Sequence, residues 1–145
     1  MAHTINSVLD QPYSDLELIV SNNCSTDDTQ NVLESFSGNS RLKVIKPEKT
    51  ISVAENWNFA FKASSGDYIL LIGDDDCALP GYFERMEKIL EQYDYPEAVT
   101  CNGYSYITPG SVYANSKSFY QDPFYEFGPE FQEGLLSQKM RHEIV

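Results

Sequence analysis

Asp67-Tyr68-Ile69-Leu70-Leu71-Ile72-Gly73-Asp74-Asp75-Asp76 sets an apolar run of five against a glycine and three successive carboxylates. The length and composition of residues 68–72 predict a strand buried on both faces, as in a parallel sheet. Three acids crowded at the end of such a strand repel one another unless a cation neutralises them. A divalent metal with hard oxygen ligands would do so, and would in turn hold an anion such as a diphosphate. A solvated acidic turn is the alternative, and the triplet alone does not separate the two.

The segments on either side fix the fold class. Upstream, Ile5, Val8 and Leu9 recur at helical spacing, and residues 11–15 (Gln-Pro-Tyr-Ser-Asp) form a turn. Residues 16–20 predict a short strand. A helix is then expected from Ser25, with Asp28 as capping-box partner, Val32, Leu33 and Phe36 inward, and Gly38 at its end. Residues 42–45 predict a second strand. Ser52 and Glu55 form a second capping box, followed by the stripe Ala54, Trp57, Ala60 and Phe61, whose helical spacing makes Trp57 a core residue. Downstream of the acids, Pro80 suits a first helical turn, Phe83, Met86, Leu90 and Tyr93 mark a helical face, and residues 98–102 read as a strand. Helix and strand alternate four times, which predicts an α/β fold with a mostly parallel sheet.

Composition narrows the function. The 145 residues suffice for one domain with a core, and the formal net charge of −12 supplies no basic patch for a nucleic-acid backbone. Cys24, Cys77 and Cys101 are odd in number and lack CxxC spacing, which fits a reduced compartment better than a zinc site. No apolar run reaches membrane-spanning length. From residue 104 the sequence turns rich in Tyr, Phe, Ser, Gly and Pro, rings more often used in packing than in sugar stacking, and residues 129–140 suggest a last helix.

In a parallel sheet, ligands gather beyond the carboxyl ends of the strands. Two polar loops belong there: residues 21–29, with Asn22 and Asn23, and the acid cluster. The first is explained as a helix start, except for the two asparagines. Together the loops outline a site for a nucleotide carrying a diphosphate.

Four motifs resemble family 2 glycosyltransferases, inverting enzymes of the GT-A fold. They are Ser7-Val8-Leu9-Asp10-Gln11-Pro12-Tyr13 with Asp15-Leu16-Glu17-Leu18-Ile19-Val20; Ser25-Thr26-Asp27-Asp28-Thr29; Ala54-Glu55-Asn56-Trp57-Asn58 with Ala63-Ser64-Ser65-Gly66-Asp67-Tyr68-Ile69; and Asp74-Asp75-Asp76 with Leu79-Pro80. The resemblance implies a GT-A-like, Rossmann-like three-layer sandwich. It also implies metal-dependent transfer of a sugar from a nucleotide-sugar, such as a UDP-sugar, to an acceptor hydroxyl on a saccharide or lipid-linked acceptor, in glycan or polysaccharide biosynthesis. By the same resemblance the DXD-like motif holds Mn²⁺ or Mg²⁺ through Asp75, with Asp76 beside it. Asp74 reaches the donor ribose or sugar, and Asn22 and Asn23 lie in the base-binding loop.

Three departures shape the expectation. Asn22-Asn23 stands where the family commonly has an aspartate. The family's first strand would precede residue 1. The catalytic base matches no residue, although Asp122, Glu126, Glu130 and Glu133 are available. The chain is therefore expected to be a truncated single domain, inactive alone, with residues 1–103 binding the nucleotide-sugar and 104–145 opening the acceptor side. A homo-oligomer through an unpaired sheet edge and a cytoplasmic location, or one peripheral to the inner membrane face, are further expectations. A non-catalytic nucleotide-binding module of the same fold is the alternative. Haloacid-dehalogenase, receiver, dinucleotide-binding and EF-hand patterns do not fit the placement of the acids or the absence of G-x-G-x-x-G.

Overall fold

A computed structural model describes residues 1–101 and the backbone of two short strands at 104–105 and 125–126. Two compact units divide the chain, Met1–Lys88 and Ile89–Val145.

The first unit opens with α1 (Ala2–Leu9), which buries Thr4, Ile5, Val8 and Leu9. A turn leads into β1 (Leu18–Ser21), then α2 (Thr29–Glu34) and β2 (Leu42–Ile45). The two strands pair in parallel, Leu18 opposite Leu42 and Ser21 opposite Ile45. Asn22 extends the ladder by donating its N–H to the Ile45 carbonyl at 2.9 Å.

Alternation along β1 sends Leu18 and Val20 to one face, where they pack with Ile5 and Leu9 of α1, Leu33 of α2 and Phe36 in the turn after it. Ser21, on the opposite face, bonds Asn56 of α3 (Val53–Ala63). The layers are thus helices, parallel sheet, helix, as the alternation predicts. Arg41 locks the near end: its guanidinium donates to the Leu9 carbonyl, at the carboxyl end of α1, and to the Tyr13 carbonyl at 2.8 Å. A cation there also complements the helix dipole.

The Ser52–Glu55 capping box forms as predicted. The Ser52 Oγ accepts from the Glu55 N–H, and Glu55 Oε2 accepts from the Ser52 N–H at 2.9 Å. The helix α4 (Tyr82–Gln92) also forms, after Pro80 and a Gly81 whose φ of +77° favours glycine.

Four expectations are corrected. The helix expected from Ser25 begins at Thr29, with Asp28 as N-cap. Asn22 Oδ1 takes the Ser25 N–H, and Cys24 adopts a left-handed φ of 58°, so residues 22–28 cannot continue into a helix.

Residues 68–72 form no ladder, and Tyr68, Ile69, Leu70 and Leu71 are 40–52% exposed. Their composition suits a buried strand, but pairing needs a partner. Among the described residues β1 pairs with β2 alone.

Trp57 is 48% exposed and α3 buries no residue: α3 meets β1 through Asn56, and of its apolar stripe Ala60 is half-buried while Ala54, Trp57 and Phe61 stay exposed. Residues 98–101 are not strand, and residue 102 lies outside the described residues.

The second unit contains the end of α4, closed where the Tyr95 N–H donates to the Leu90 carbonyl at 2.8 Å. It also contains an antiparallel pair, Tyr104–Ser105 with Tyr125–Glu126. The helix expected over 129–140, the side chains of the aromatic segment, and those of Asp122, Glu126, Glu130 and Glu133 lie outside the described residues.

Candidate functional site

Residues 10–17 reverse the chain between α1 and β1, so the first turn of α1 lies toward the carboxyl end of β1. Both polar loops are attached at that edge. The first leaves β1 through Ser21, Asn22 and Asn23. The second, residues 73–78, is hydrogen-bonded to α1: the Thr4 hydroxyl donates to the Asp74 carbonyl at 2.7 Å, and the Ala78 N–H donates to Ser7 Oγ at 3.0 Å.

Within the acid loop, the Asp76 N–H donates to the Gly73 carbonyl at 3.2 Å, closing a turn over Asp74 and Asp75. The Gly73 N–H donates to Asp76 Oδ2 at 3.3 Å. A Cβ built on Gly73 would meet Asp75 Oδ1 at 2.8 Å and Asp76 Oδ2 at 2.9 Å. Two carboxylate oxygens therefore converge on the bare face of Gly73, and a side chain there would have to push them aside.

These are hard, exposed oxygen donors of the kind that suits Mg²⁺ or Mn²⁺. Among the described residues no three acidic, histidine or cysteine side chains form one cluster. Two carboxylates are nonetheless the usual protein contribution where substrate phosphates and water complete the shell. The donor set at Asp75 and Asp76 thus fits a metal held jointly with a diphosphate.

The asparagines do different jobs. Asn23 pairs its amide with the backbone of Ile51, donating from Nδ2 to the carbonyl at 2.8 Å and accepting the N–H on Oδ1 at 3.0 Å. It stitches the loop after β1 to the approach of α3, which leaves one N–H and one lone pair for anything else. Asn22 is 4% exposed. Its Oδ1 accepts from the Ser25 N–H at 2.9 Å, and its Nδ2 is buried with no partner among the described residues. An orphaned buried donor costs about 1–3 kcal/mol, so an acceptor or water reaching that corner would be favoured. No hydrogen bond joins Asn22 or Asn23 to residues 73–76 among the described residues.

Asn56, within the resembling motif at 54–58, supports the same edge. Its Oδ1 accepts from the Ser21 hydroxyl at 2.7 Å, and its Nδ2 lies 3.5 Å from the Ser21 carbonyl. Asp27 caps the turn before α2, and the Thr29 hydroxyl and N–H hold its carboxyl below the usual range. Sequence reasoning missed the Thr4, Ser7 and Arg41 contacts. Thr4 and Ser7 had a signal: polar residues three apart, beside Ile5 and Val8 on a helix with an apolar face.

Over residues 1–141 the chain matches the family described as Glycosyl transferase family 2. The chain belongs to that family. An uncharacterized glycosyltransferase of Haemophilus influenzae is 33% identical over 97 residues, covering 66% of this chain and 30% of its own length. An Escherichia coli relative, WfaP, named UDP-Glc:alpha-D-GlcNAc-diphosphoundecaprenol beta-1,3-glucosyltransferase, is 34% identical over 73 residues, 50% of this chain and 29% of that protein. The chain thus spans about a third of the length of the relatives it matches.

Crystal structures of Staphylococcus aureus TarS 1–349, one in complex with UDP-GlcNAc and one with UDP, share the fold at a TM-score of 0.59. They are 23% identical to this chain and cover 63% of it, the matched part being 27% and 28% of the TarS chain. The fold of this family 2 chain is accordingly the GT-A-like α/β arrangement that its motifs predict.

Proposed function

We propose that this family 2 chain forms the nucleotide-sugar-binding part of a metal-dependent, inverting glycosyltransferase. The convergence of Asp75 Oδ1 and Asp76 Oδ2 on the face of Gly73 carries the proposal, because it offers a diphosphate-bound cation two hard ligands at the sheet's carboxyl edge. When bound, Mn²⁺ or Mg²⁺ neutralises charge developing on the leaving diphosphate. Asp74, the first acid of the turn, is assigned to the donor ribose or sugar. Asn22, with an unsatisfied buried N–H, offers a donor to the base side of the loop, and Asn23 holds that loop to Ile51.

The reaction is a single displacement. An acceptor hydroxyl loses its proton to a carboxylate and attacks the anomeric carbon. The bond from that carbon to the diphosphate oxygen breaks, and the nucleoside diphosphate departs. UDP-sugar donors are favoured by the UDP-Glc donor for which WfaP is named and by the UDP-GlcNAc complex of TarS. A saccharide or lipid-linked acceptor in polysaccharide biosynthesis is the companion assignment.

Calorimetry with UDP, with and without MnCl₂, tests the proposal. Mn²⁺-dependent binding in the wild type, lost at least tenfold in Asp75→Asn, is expected. The substitution keeps shape and removes charge, so equal Mn²⁺-dependent affinity in both proteins would remove the metal role. Binding without sugar transfer by the full-length protein would favour the non-catalytic alternative.

A further inference from the structure

We propose that Thr4 and Ser7 are positioning residues for the acid loop, a clamp on α1 that sets the geometry of the metal ligands without touching them. The inference rests on the assignment of Asp75 and Asp76 to a metal-bound diphosphate.

The clamp grips the loop by its backbone at both ends. The Thr4 hydroxyl donates to the Asp74 carbonyl at 2.7 Å. The Ser7 hydroxyl accepts from the Ala78 N–H at 3.0 Å and donates to the Thr4 carbonyl at 2.8 Å. Thr4 is 6% exposed and Ala78 9%, so each bond is partly shielded from water on one side, which makes it costlier to break than a fully solvated one. The three residues between the two anchors are Asp75, Asp76 and Cys77, and the side chains of Asp75 and Asp76 are exposed.

The need for such a clamp follows from the loop itself. Residues 68–72, which lead into it, make no strand ladder, so the sheet does not fix the acids. Like-charged carboxylates brought together also repel one another and would open the turn. Asp76 and Gly73 close the turn internally, but that bond travels with the loop wherever it goes. Among the described residues Thr4 and Ser7 tie the loop's ends to an element with buried side chains, because α1 contributes Ile5 and Leu9 to the core. A metal site requires its ligands within a few tenths of an ångström, so a helix that holds the backbone preorganises the site. The spacing of three suits the task, since residues i and i+3 lie on one face of a helix.

The test uses the full-length protein and two probes. Free Mn²⁺ is counted by electron paramagnetic resonance in the presence of UDP, and exchange of the Ala78 amide is followed by hydrogen–deuterium exchange. Thr4→Val keeps the shape and deletes the donor; it should weaken Mn²⁺ uptake about five- to tenfold, and Thr4→Ser should restore it. Ser7→Ala should speed Ala78 exchange about tenfold or more. Asp75→Asn should abolish Mn²⁺ uptake while leaving Ala78 exchange at the wild-type rate. In the Asp75→Asn background Thr4→Val should have no further effect on the residual UDP affinity, because the two act on one ligand set.

Equal Mn²⁺ uptake by wild type and Thr4→Val overturns the positioning role alone. So does a loss in Thr4→Val that Thr4→Ser fails to recover, since that loss would come from disturbed packing. Wild-type protein that takes up no Mn²⁺ with UDP overturns the metal assignment, and this proposal with it. In that case unchanged Ala78 exchange in Asp75→Asn would still mark the clamp as structural.

Discussion

Replacing Asn23 separates two roles that its position allows. A base-contacting asparagine would affect nucleotide affinity and leave stability alone. The structure gives its amide two backbone bonds to Ile51, at 2.8 and 3.0 Å, across 28 residues of sequence. In Asn23→Ala both are lost, and the Ile51 N–H and carbonyl, which are half-buried, must find water or go unpaired. At about 1 kcal/mol net per bond, the loss is about 2 kcal/mol. With a urea m-value of about 2 kcal/mol/M, the unfolding midpoint should fall by about 1 M.

Asn23→Asp provides the control. Its carboxylate can still accept the Ile51 N–H but faces the Ile51 carbonyl with an oxygen in place of a donor. It should therefore lose at least one bond and should be more stable at acidic pH, where protonation restores a donor, than the alanine variant. Urea melts of the three proteins at pH 7 and pH 5, beside UDP titrations, decide the matter. A midpoint shift under 0.2 M in Asn23→Ala, with a tenfold loss of nucleotide affinity, would refute the stitching role and restore direct base contact.

Cys24 sits at a φ of 58° with its thiol 3.4 Å from the Pro47 carbonyl, a weak bond. Cys24→Gly should raise stability by about 0.5–1 kcal/mol by removing the left-handed penalty, read as a higher melting temperature; a lower one would argue against that backbone conformation. Three exposed carboxyls are held below their ordinary range: Glu17 by the Ser65 N–H and hydroxyl, Asp27 by the Thr29 hydroxyl and N–H, and Glu55 by the Ser52 N–H and hydroxyl. Depressed values in the folded state mean their contributions are complete above the unfolded carboxylate range. They are lost as the pH falls through the lowered folded values. Acid titration of stability should show this loss below about pH 4, and Glu55→Gln should flatten it. Ser52→Ala should cost about 1 kcal/mol at neutral pH by thermal melt, since it removes the N-cap acceptor of α3.

How far the sequence carries depends on whether a feature is decided locally. The Ser52–Glu55 box was legible because each group finds its partner three residues away, whatever surrounds the helix. The parallel pair of β1 and β2 was legible because the intervening helix leaves few other routes. Residues 68–72 were misjudged because an apolar run says that a segment would pair if offered an edge, and nothing about which edge is there. Trp57 failed for the same reason: the stripe marks a face, but its cover must come from elsewhere in the fold. At the proposed site, Asp74, Asp75 and Asp76 stand out in the sequence, whereas the contacts that hold their loop do not. Thr4 lies 70 residues from the carbonyl it holds, a separation across which side-chain pattern alone names no partner. Asn22 and Asn23 show the limit most sharply. They are adjacent amides of the same type, yet one is fastened to Ile51 and the other is buried with an unsatisfied N–H. The difference arises from alternation at the end of β1 and from the left-handed turn at Cys24, where the chain leaves the sheet. On the proposed reading the donor site divides its labour: Asn23, which resembles a ligand, is held as scaffold by Ile51, and α1, which resembles scaffold, holds the loop of the proposed ligands.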